Sequence, residues 1–175
     1  VFIDLNDAKQ RVTSKTKAII PVHYASSSEG MEKVFEFARN HRLRVIEDAA
    51  HSFGCSRNGR KVGAIGDISC FSFDGIKNIT SGEGGAVVTG DQDVAQKIKD
   101  ARLLGVEKDT DNRYSRQRSW TFNVTEQGWR YHMSNLMAAI GRVQLKKIYN
   151  FGLSRRSIAS AYYNRFKVCS SIKLL

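Results

Sequence analysis

The sequence has few cysteines, a single proline and no long apolar run, and each scarcity excludes a class of protein. Cys55, Cys70 and Cys169 are an odd number without metal-ligand spacing, so they predict a reducing compartment rather than a secreted disulfide scaffold. With Pro21 as the only proline, a Pro-rich linker is excluded. No apolar stretch approaches the roughly 20 residues of a membrane-spanning helix. Residues 1–7 lack the pattern of a signal peptide, and we therefore expect a cytoplasmic protein without a membrane partner.

Positive charge is the clearest excess in the composition. The 175 residues include 28 Lys plus Arg against 17 Asp plus Glu, a net charge of +11, while 41% hydrophobic and 26% charged residues are ordinary globular values. The length fits one domain or a piece of something larger. No finger, homeodomain, RRM or KH signature accompanies the charge, so we expect no nucleic-acid partner. Two interpretations of the positive charge remain: a solvated basic surface, or a surface that binds anionic small molecules. Two clusters of basic residues stand out: Arg113, Arg116 and Arg118, and Arg142, Lys146, Lys147, Arg155 and Arg156.

The first part of the chain predicts a strand, a helix and a second strand. A β-branched run over residues 17–22 predicts a buried strand. Ser26 and Glu29 fit a capping box, and apolar residues then repeat at helical spacing to about His41. The apolar run over 43–46 predicts the next strand. This βαβ order is typical of a parallel sheet covered by helices.

The rest of the chain continues the alternation and contains one segment without periodicity. Residues 106–127 are polar and long for a structureless loop, so they predict a functional or interface arm. The other predicted elements are a loop or β-turn excursion over 55–66, a strand over 68–73, a permissive turn over 82–85, a strand over 86–89, a helix from an Asp91 N-cap to about Leu104 before Gly105, a helix capped by Ser134, and a last helix beginning at Ser154.

Asp48 is the first residue that points to chemistry. It ends an apolar strand, which places its carboxylate near the C-terminal edge of the sheet, where open α/β sheets bind ligands. A half-buried carboxylate is costly unless it meets a cation or hydrogen-bond donors. The alternative is that Asp48 is the N-cap of a helix beginning at Ala49.

Lys77 and Ser72 add an amine and a hydroxyl to that edge. Lys77 follows the predicted strand over 68–73 among apolar and aromatic residues, where an amine can become nucleophilic and form Schiff bases. Ser72 could serve a phosphate together with backbone N–H groups of the glycines after Lys77. The alternatives are a surface lysine in a turn and a small packing serine between two phenylalanines.

A carboxylate, an amine and a hydroxyl are together what pyridoxal phosphate requires. Asp48 would keep the pyridine nitrogen protonated so that the ring acts as an electron sink. Lys77 would hold the internal aldimine and then carry protons once it is displaced. Ser72 would contact the phosphate. The combination therefore predicts pyridoxal 5′-phosphate as the cofactor.

Several stretches carry a resemblance to one family. They are Val-Ile-Glu-Asp-Ala-Ala-His-Ser-Phe-Gly (45–54), Gly-Asp (66–67), Phe-Ser-Phe-x-x-x-Lys-Asn-x-Thr-x-Gly-Glu-Gly-Gly (71–85), Gly-Trp-Arg-Tyr-His-Met-Ser (128–134) and Ala-Ala-Ile-Gly-x-Val-Gln-Leu (138–145). In this order, over nearly the whole chain, they resemble the DegT/DnrJ/EryC1/StrS sugar aminotransferases.

The resemblance implies the aspartate-aminotransferase fold. That fold is an α/β, three-layer αβα PLP-transferase large domain of fold type I with a mostly parallel sheet. Residues 1–150 would be the central and C-terminal part of this large domain, and 151–175 the start of the small C-terminal domain. The family's Gly-Thr phosphate turn and an aromatic residue over the ring would precede this sequence. We therefore expect an internal fragment, truncated at both ends, that alone binds the cofactor weakly or not at all and is inactive.

The resemblance also implies roles for individual residues. Lys77 matches the Schiff-base lysine, Asp48 the partner of the pyridine nitrogen, and Ser72 the phosphate-binding serine. Ala50 matches the small residue against the ring face, and His51 the position near the phenolic oxygen, with a core or capping histidine as its alternative. The turn after the lysine is matched by Gly82, Gly84 and Gly85.

The stretch around Arg130 and His132 matches a segment that reaches the active site of a neighbouring subunit. Family members usually place an asparagine at one of these two positions to touch the phosphate, and this chain has none there. Arg130 or His132 would substitute for it, and we expect a homodimer with shared active sites. Arg113, Arg116 and Arg118 are candidate anion contacts near the same interface, with a solvated arm as the alternative.

The activity implied by the resemblance is transamination. Glutamate would donate the amino group to a nucleotide-linked keto sugar, and the product would enter lipopolysaccharide, another surface glycan or a glycosylated metabolite. A related subgroup of sugar dehydratases replaces the lysine with histidine, so Lys77 argues against dehydration. A cysteine desulfurase relative would need a mobile catalytic cysteine loop, which the sequence lacks. A non-enzymatic regulatory or anion-binding protein that uses the basic surface is the remaining alternative.

Overall fold

The computed structural model describes residues 3–24, 30–107, 115 and 122–172. Within these ranges the strands are β1 Ala18–Ile19, β2 Arg44–Asp48, β3 Ser56–Arg57, β4 Arg60–Lys61, β5 Ile68–Ser72 and β6 Gly85–Thr89. The helices are α1 Leu5–Arg11, α2 Met31–His41, α3 Gln92–Ala101 and α4 Asn135–Phe166. The alternation of strands and helices that the sequence predicts is therefore present.

Four strands form the main sheet, in the order β1-β2-β5-β6. β1, β2 and β5 are parallel, while β6 runs antiparallel to β5. Glu47 pairs with Ser69 and Asp48 with Cys70 across β2 and β5. Since side chains alternate along a strand, Asp48 and Cys70 share one face of the sheet and Glu47 and Ser69 the other. Ser72, two residues after Cys70, lies on the Asp48 face.

Helix α2 covers the face of the sheet to which Val45 and Glu47 belong. Its buried residues are spaced as one stripe of a helix, and with β1 and β2 they form a compact cluster. The members of this cluster are Ile19, Met31, Val34, Ala38 and Val45. The Asp48 face is only half-buried, since alternate residues of β2 and β5 switch between buried and intermediate exposure. The covered face supports the sheet, and the opposite face is half-exposed in the described chain.

The helices begin where short polar residues satisfy their first N–H groups. Asp91 accepts hydrogen bonds from the backbone of Asp93 and Val94 at the start of α3, and Ser134 accepts one from Met137 at the start of α4. Both predicted caps are confirmed. Helix α2 begins after Gly30. The predicted capping box, Ser26 and Glu29, lies outside the described residues.

Helix α3 ends three residues before the predicted end at Leu104. Leu104 and Gly105 both have positive φ, and Gly105 N donates to Asp100 O at 3.0 Å. The chain then turns so that Leu104 N donates to Trp129 O at 3.0 Å, while Trp129 N donates to Ala101 O at 2.6 Å. These hydrogen bonds bring the segment after α3 against residues 126–129. The backbone of Gly105 approaches that of residues 126–128 closely there, and the helix ends before this point.

The helix predicted to begin at Ser154 is wrong as a separate element. Residues 135–166 form the continuous helix α4, and Ser154 lies in its interior. Serine is tolerated inside a helix, and no proline interrupts the segment. The expected division between domains at residue 150 falls within this helix and stays a prediction.

Candidate active site

Asp48 ends β2 at the carboxyl edge of the parallel strands. Its backbone N donates to Pro21 O at 2.9 Å, and its O accepts from His23 N at 3.0 Å. Asp48, the last residue of β2, is therefore held to the segment that follows β1. Its carboxylate Oδ1 accepts a hydrogen bond from Ala50 N at 3.1 Å. Residues 49–54 form turns rather than a helix, so the interpretation of Asp48 as a helix N-cap is wrong. The structure thus places a carboxylate at the carboxyl edge of the parallel strands, where open α/β sheets bind ligands.

Ser72 lies on the same face as Asp48, at the end of the neighbouring strand β5. Its Oγ accepts a hydrogen bond from Asp74 N at 3.3 Å, and a hydroxyl that accepts can still donate to an anion. Between the two, burial and then the negative charge of Asp48 raise the pKa of the Cys70 thiol. Cys70 therefore lies between Asp48 and Ser72 as a neutral thiol.

Lys77 lies in the turn that follows β5. Lys77 N donates to Asp74 O at 3.1 Å, and Asp74 Oδ1 accepts from Ile76 N at 3.2 Å, which closes the turn. The half-buried side chain brings Nζ to 3.3 Å from His51 Nε2. The two loops after β2 and β5 therefore bring an amine and an imidazole together, although 26 residues separate them.

His51 is exposed, so the alternative of a core histidine is wrong. The ring of Tyr24 meets it edge-on, with centroids 5.5 Å apart and planes at 81°. Tyr24 was not predicted from the sequence as a site residue. The signal available was its position: it follows β1, whose carboxyl end shares the edge with β2 and β5. Ala50 lies between Asp48 and His51 in the same turn, half-buried.

The glycine turn after Lys77 depends on backbone geometry. Gly82 and Gly84 have φ of 84° and 148°, conformations that side chains rarely adopt. A Cβ on Gly85 would lie 2.6 Å from Phe71 O, so this residue must be small for β6 to pair with β5. Ser81 is fully buried within the turn and donates to Glu83 O at 2.7 Å. The turn thereby returns the chain to the sheet just after the lysine.

Behind Asp48, on the face covered by α2, lies a buried polar cluster that was not predicted from the sequence. Glu47 is 1% exposed; its Oε2 lies 2.8 Å from His23 Nε2, and its Oε1 accepts from Ser69 Oγ at 3.0 Å. Burial raises the pKa of Glu47, but the hydrogen bonds with His23 and Ser69 outweigh it and leave the pKa below its ordinary value. Since His23 N also bonds to Asp48 O, the cluster anchors the end of β2.

Gly66 makes room for this cluster. A Cβ at position 66 would overlap Glu47 Oε1 and lie 3.0 Å from Glu47 Cδ and 3.4 Å from Phe35 Cε1. The glycine of the Gly-Asp pair is therefore required by a buried carboxylate. The aspartate that follows, Asp67, forms a two-pronged pair with Arg44 at 2.5 and 2.7 Å. This pair ties the beginning of β2 to the segment before β5.

Arg130 and His132 lie on a different part of the chain. Both are exposed, and Arg130 forms an antiparallel bridge with Leu103, not with β2 or β5. Their expected contact with the cofactor of a neighbouring subunit stays a prediction. The candidate anion contacts Arg113, Arg116 and Arg118 lie outside the described residues.

The described residues fit the chemistry that pyridoxal phosphate needs. The sheet edge offers a carboxylate for a pyridinium, a hydroxyl for a phosphate, and an amine beside an imidazole for an aldehyde. In the described part of the chain, no group of three or more His, Cys, Asp or Glu could hold a metal ion. No helix within these ranges combines the length and the apolar composition needed to cross a bilayer.

Comparison with known proteins agrees with the resemblance noted in the sequence. The model of the DegT/DnrJ/EryC1/StrS aminotransferase family matches residues 1–175. The chain is 39% identical over 165 residues to the spore coat polysaccharide biosynthesis protein SpsC of Bacillus subtilis, covering 94% of this chain and 42% of SpsC. The chain therefore spans about two fifths of the length of that relative.

Solved structures confirm the fold class. Helicobacter pylori PseC, an aminotransferase involved in the biosynthesis of pseudoaminic acid, matches with a TM-score of 0.85 and 32% identity, over 97% of this chain and 43% of PseC. The putative sugar aminotransferase Spr1654 of Streptococcus pneumoniae, in its PMP form, matches with a TM-score of 0.83 and 26% identity, over 94% of this chain and 46% of Spr1654. The predicted α/β aminotransferase fold and the predicted cofactor, pyridoxal phosphate, are both confirmed.

Proposed function

The chain belongs to the DegT/DnrJ/EryC1/StrS aminotransferase family, and we propose that the whole protein transfers an amino group from glutamate to a nucleotide-linked keto sugar. The observation that carries this proposal is the amine of Lys77, 3.3 Å from His51 Nε2 at the carboxyl edge of parallel strands. Asp48 and Ser72 occupy the same face of that edge. The sugar pathways named for SpsC and PseC support the substrate class.

Each residue at the edge has a role that its chemistry can perform. Asp48 would pair through its carboxylate with the pyridine nitrogen, and Ser72 would donate its hydroxyl to the phosphate. Ala50, small and half-buried, leaves room for the ring. When bound, pyridoxal phosphate would supply an electron sink for the negative charge that develops at the α-carbon of the amino donor.

Lys77 is the proposed catalytic residue. Its Nζ would attach the cofactor and then, once released, take a proton from the α-carbon of the amino donor as general base. As a protonated amine it would return a proton as general acid. The imidazole of His51 lies within hydrogen-bonding distance of Nζ, so it can hold the amine in place between these steps.

We also propose that the protein acts as a homodimer with shared active sites. Arg130 and His132 are exposed and carry a guanidinium and an imidazole. These groups suit a contact with the cofactor phosphate bound in a second subunit. The proposed product class is an amino sugar for a polysaccharide, lipopolysaccharide or glycosylated metabolite, made in the cytoplasm.

The proposal is tested by transamination with the full-length protein. With pyridoxal phosphate, glutamate and a panel of TDP- and UDP-linked keto sugars, we expect 2-oxoglutarate and an amino sugar nucleotide in equal amounts. Lys77→Ala should lower the rate by at least about 10²–10⁴-fold, the range of general acid–base catalysis. The control is Lys97→Ala, an exposed lysine on α3. Formation of a deoxygenated sugar without 2-oxoglutarate would contradict transamination and favour the dehydratase.

A further inference from the structure

Helix α4 meets the loops of the proposed active site along a single stripe. Gly141 faces Ser81, where an added Cβ would lie 3.4 Å from Ser81 Cβ. Seven residues later, Ile148 Cδ1 lies so close to Gly54 that a Cβ there would be 2.6 Å away. Seven residues later again, Arg155 Nη2 donates to the carbonyl of Asn78 at 2.9 Å. Since seven residues make about two helical turns, these contacts lie on one side of α4.

Asn78 joins this stripe to both loops that carry reactive side chains. Its Nδ2 donates to Phe53 O at 2.8 Å, which fixes the loop after β2 two residues beyond His51. Its carbonyl accepts from Arg155, which fixes the loop after β5 one residue beyond Lys77. The turn bond from Lys77 N to Asp74 O holds the other side of the lysine. The backbone on both sides of the contact between Lys77 Nζ and His51 Nε2 is therefore held by hydrogen bonds.

Lysine needs such anchors because its four-carbon side chain is flexible and its ammonium is a point charge without directional preference. A guanidinium suits the anchoring position because it keeps its charge and its donors at every working pH. The Arg155 guanidinium is also placed by the ring of Phe151, 5.8 Å from the ring centroid. The hydrogen bond to Asn78 is thus supported from within α4.

We propose that Asn78 and Arg155 are positioning residues that hold Lys77 beside His51, and that α4 fixes the catalytic lysine through them. This inference rests on the proposed function of Lys77. It assigns Arg155, one of the basic residues of α4, to the lysine loop rather than to a solvated surface.

The test compares two adjacent arginines in the full-length protein. Arg155→Met keeps an unbranched side chain, shortened beyond the δ position, and removes the donors to Asn78 O. Arg156→Met makes the same change one residue later, about 100° around the helix. Both residues are exposed, so neither change opens a cavity. Arg155→Lys is the conservative variant, and Asn78→Ala removes the second anchor.

Three readouts separate positioning from general stability. For Arg155→Met we expect kcat to fall about tenfold with little change in the KM for glutamate, since a small misplacement of a reacting group is costly. The pH midpoint of the absorbance of cofactor attached to Lys77 should change, because the lysine is no longer held at a fixed place beside His51. In cofactor-free protein, reductive methylation of Lys77 should become faster while that of Lys97 is unchanged.

The outcomes distinguish this inference from the proposed function. If Arg155→Met matches Arg156→Met in all three readouts, the positioning inference is overturned. If Arg155→Lys recovers kcat and the midpoint while Arg155→Met does not, the inference is supported. If the unmodified protein binds no cofactor at Lys77, the proposed function fails, and the methylation rates alone then decide whether Asn78 and Arg155 restrain the lysine.

Discussion

Strand β2 and helix α4 differ in how the described chain surrounds them. β2 alternates between a covered face, where Val45 and Glu47 are buried, and a half-exposed face that carries Asp48. Over 32 residues α4 has no buried residue, and large apolar side chains such as Leu136 remain exposed. Strand β2 is packed by neighbouring described residues on its covered face. Helix α4 contacts the described chain along the stripe of Gly141, Ile148 and Arg155, which ends at the loop that carries Lys77.

The difference shows that the two elements support the proposed active site in different ways. In the described ranges every buried side-chain polar atom has a hydrogen-bond partner, including the carboxylate of Glu47 behind Asp48. A satisfied buried cluster rigidifies its surroundings, and here it lies next to the residue proposed to face the cofactor. Helix α4 supports the site through single side-chain contacts with the backbone of the loops, such as the hydrogen bond from Arg155 to Asn78 O. We therefore expect substitutions around β2 to affect the folding of this chain and most substitutions on α4 to have little effect on it.

The largest effect is expected from Glu47→Ala. Removing this carboxylate leaves His23 Nε2 and Ser69 Oγ without their partner in a buried site, which should lower the free energy of unfolding by about 3–5 kcal/mol. Urea unfolding measures it. The matched control is Glu36→Ala, an exposed glutamate on α2, for which a change within about 0.5 kcal/mol is expected. Equal values for the two variants would show that the buried cluster does not stabilise β2.

Gly66→Ala should have an intermediate effect. The new Cβ overlaps Glu47 Oε1, so the buried carboxylate must move away from Ser69, and overpacking of this kind costs about 1–3 kcal/mol. Thermal or urea unfolding provides the measurement. Gly90→Ala is the control, since a Cβ there meets nothing within 4 Å and its φ is not positive. A Gly66→Ala protein as stable as the Gly90→Ala protein would contradict the packing described for Glu47.

The smallest effect is expected on the exposed side of α4. Leu136 is 80% exposed, so Leu136→Ala should change the free energy of unfolding of this chain by no more than about 0.5 kcal/mol. Met31→Ala, on the covered side of the sheet at 6% exposure, should cost about 2–5 kcal/mol in the same assay. A large loss at Leu136 would break the comparison, because it would mean that α4 is packed in this chain as tightly as β2.

The sequence predicts the parts of the site that depend on local pattern. Apolar runs locate β2 and β5, and parallel strands bring their carboxyl ends to one edge, so Asp48 and Ser72 could be expected on that edge. The glycine turn after Lys77 is also visible in the residues themselves. The interpretation of Ser154 as a helix start was wrong, since a residue that favours caps is tolerated within a long helix.

What the sequence could not predict are side-chain partners from distant segments. The contact of Lys77 with His51 joins residues 26 apart, and that of Arg155 with Asn78 joins residues 77 apart. Such pairs depend on the register of strands and the placement of α4, which no periodicity reports. Strand alternation places Glu47 and Asp48 on opposite faces, but only the packing of α2 against the sheet shows that the Glu47 face is the buried one.

The attachment of the cofactor to Lys77 is the central claim, and one measurement tests it most directly. Full-length protein loaded with pyridoxal phosphate is reduced with borohydride, digested, and the modified lysine is located by mass spectrometry. The prediction is a single pyridoxyl group on Lys77, absent from the Lys77→Ala protein and unchanged in the Lys97→Ala protein. Label on another lysine, or none in a protein that is folded and loaded, would contradict the assignment of this site.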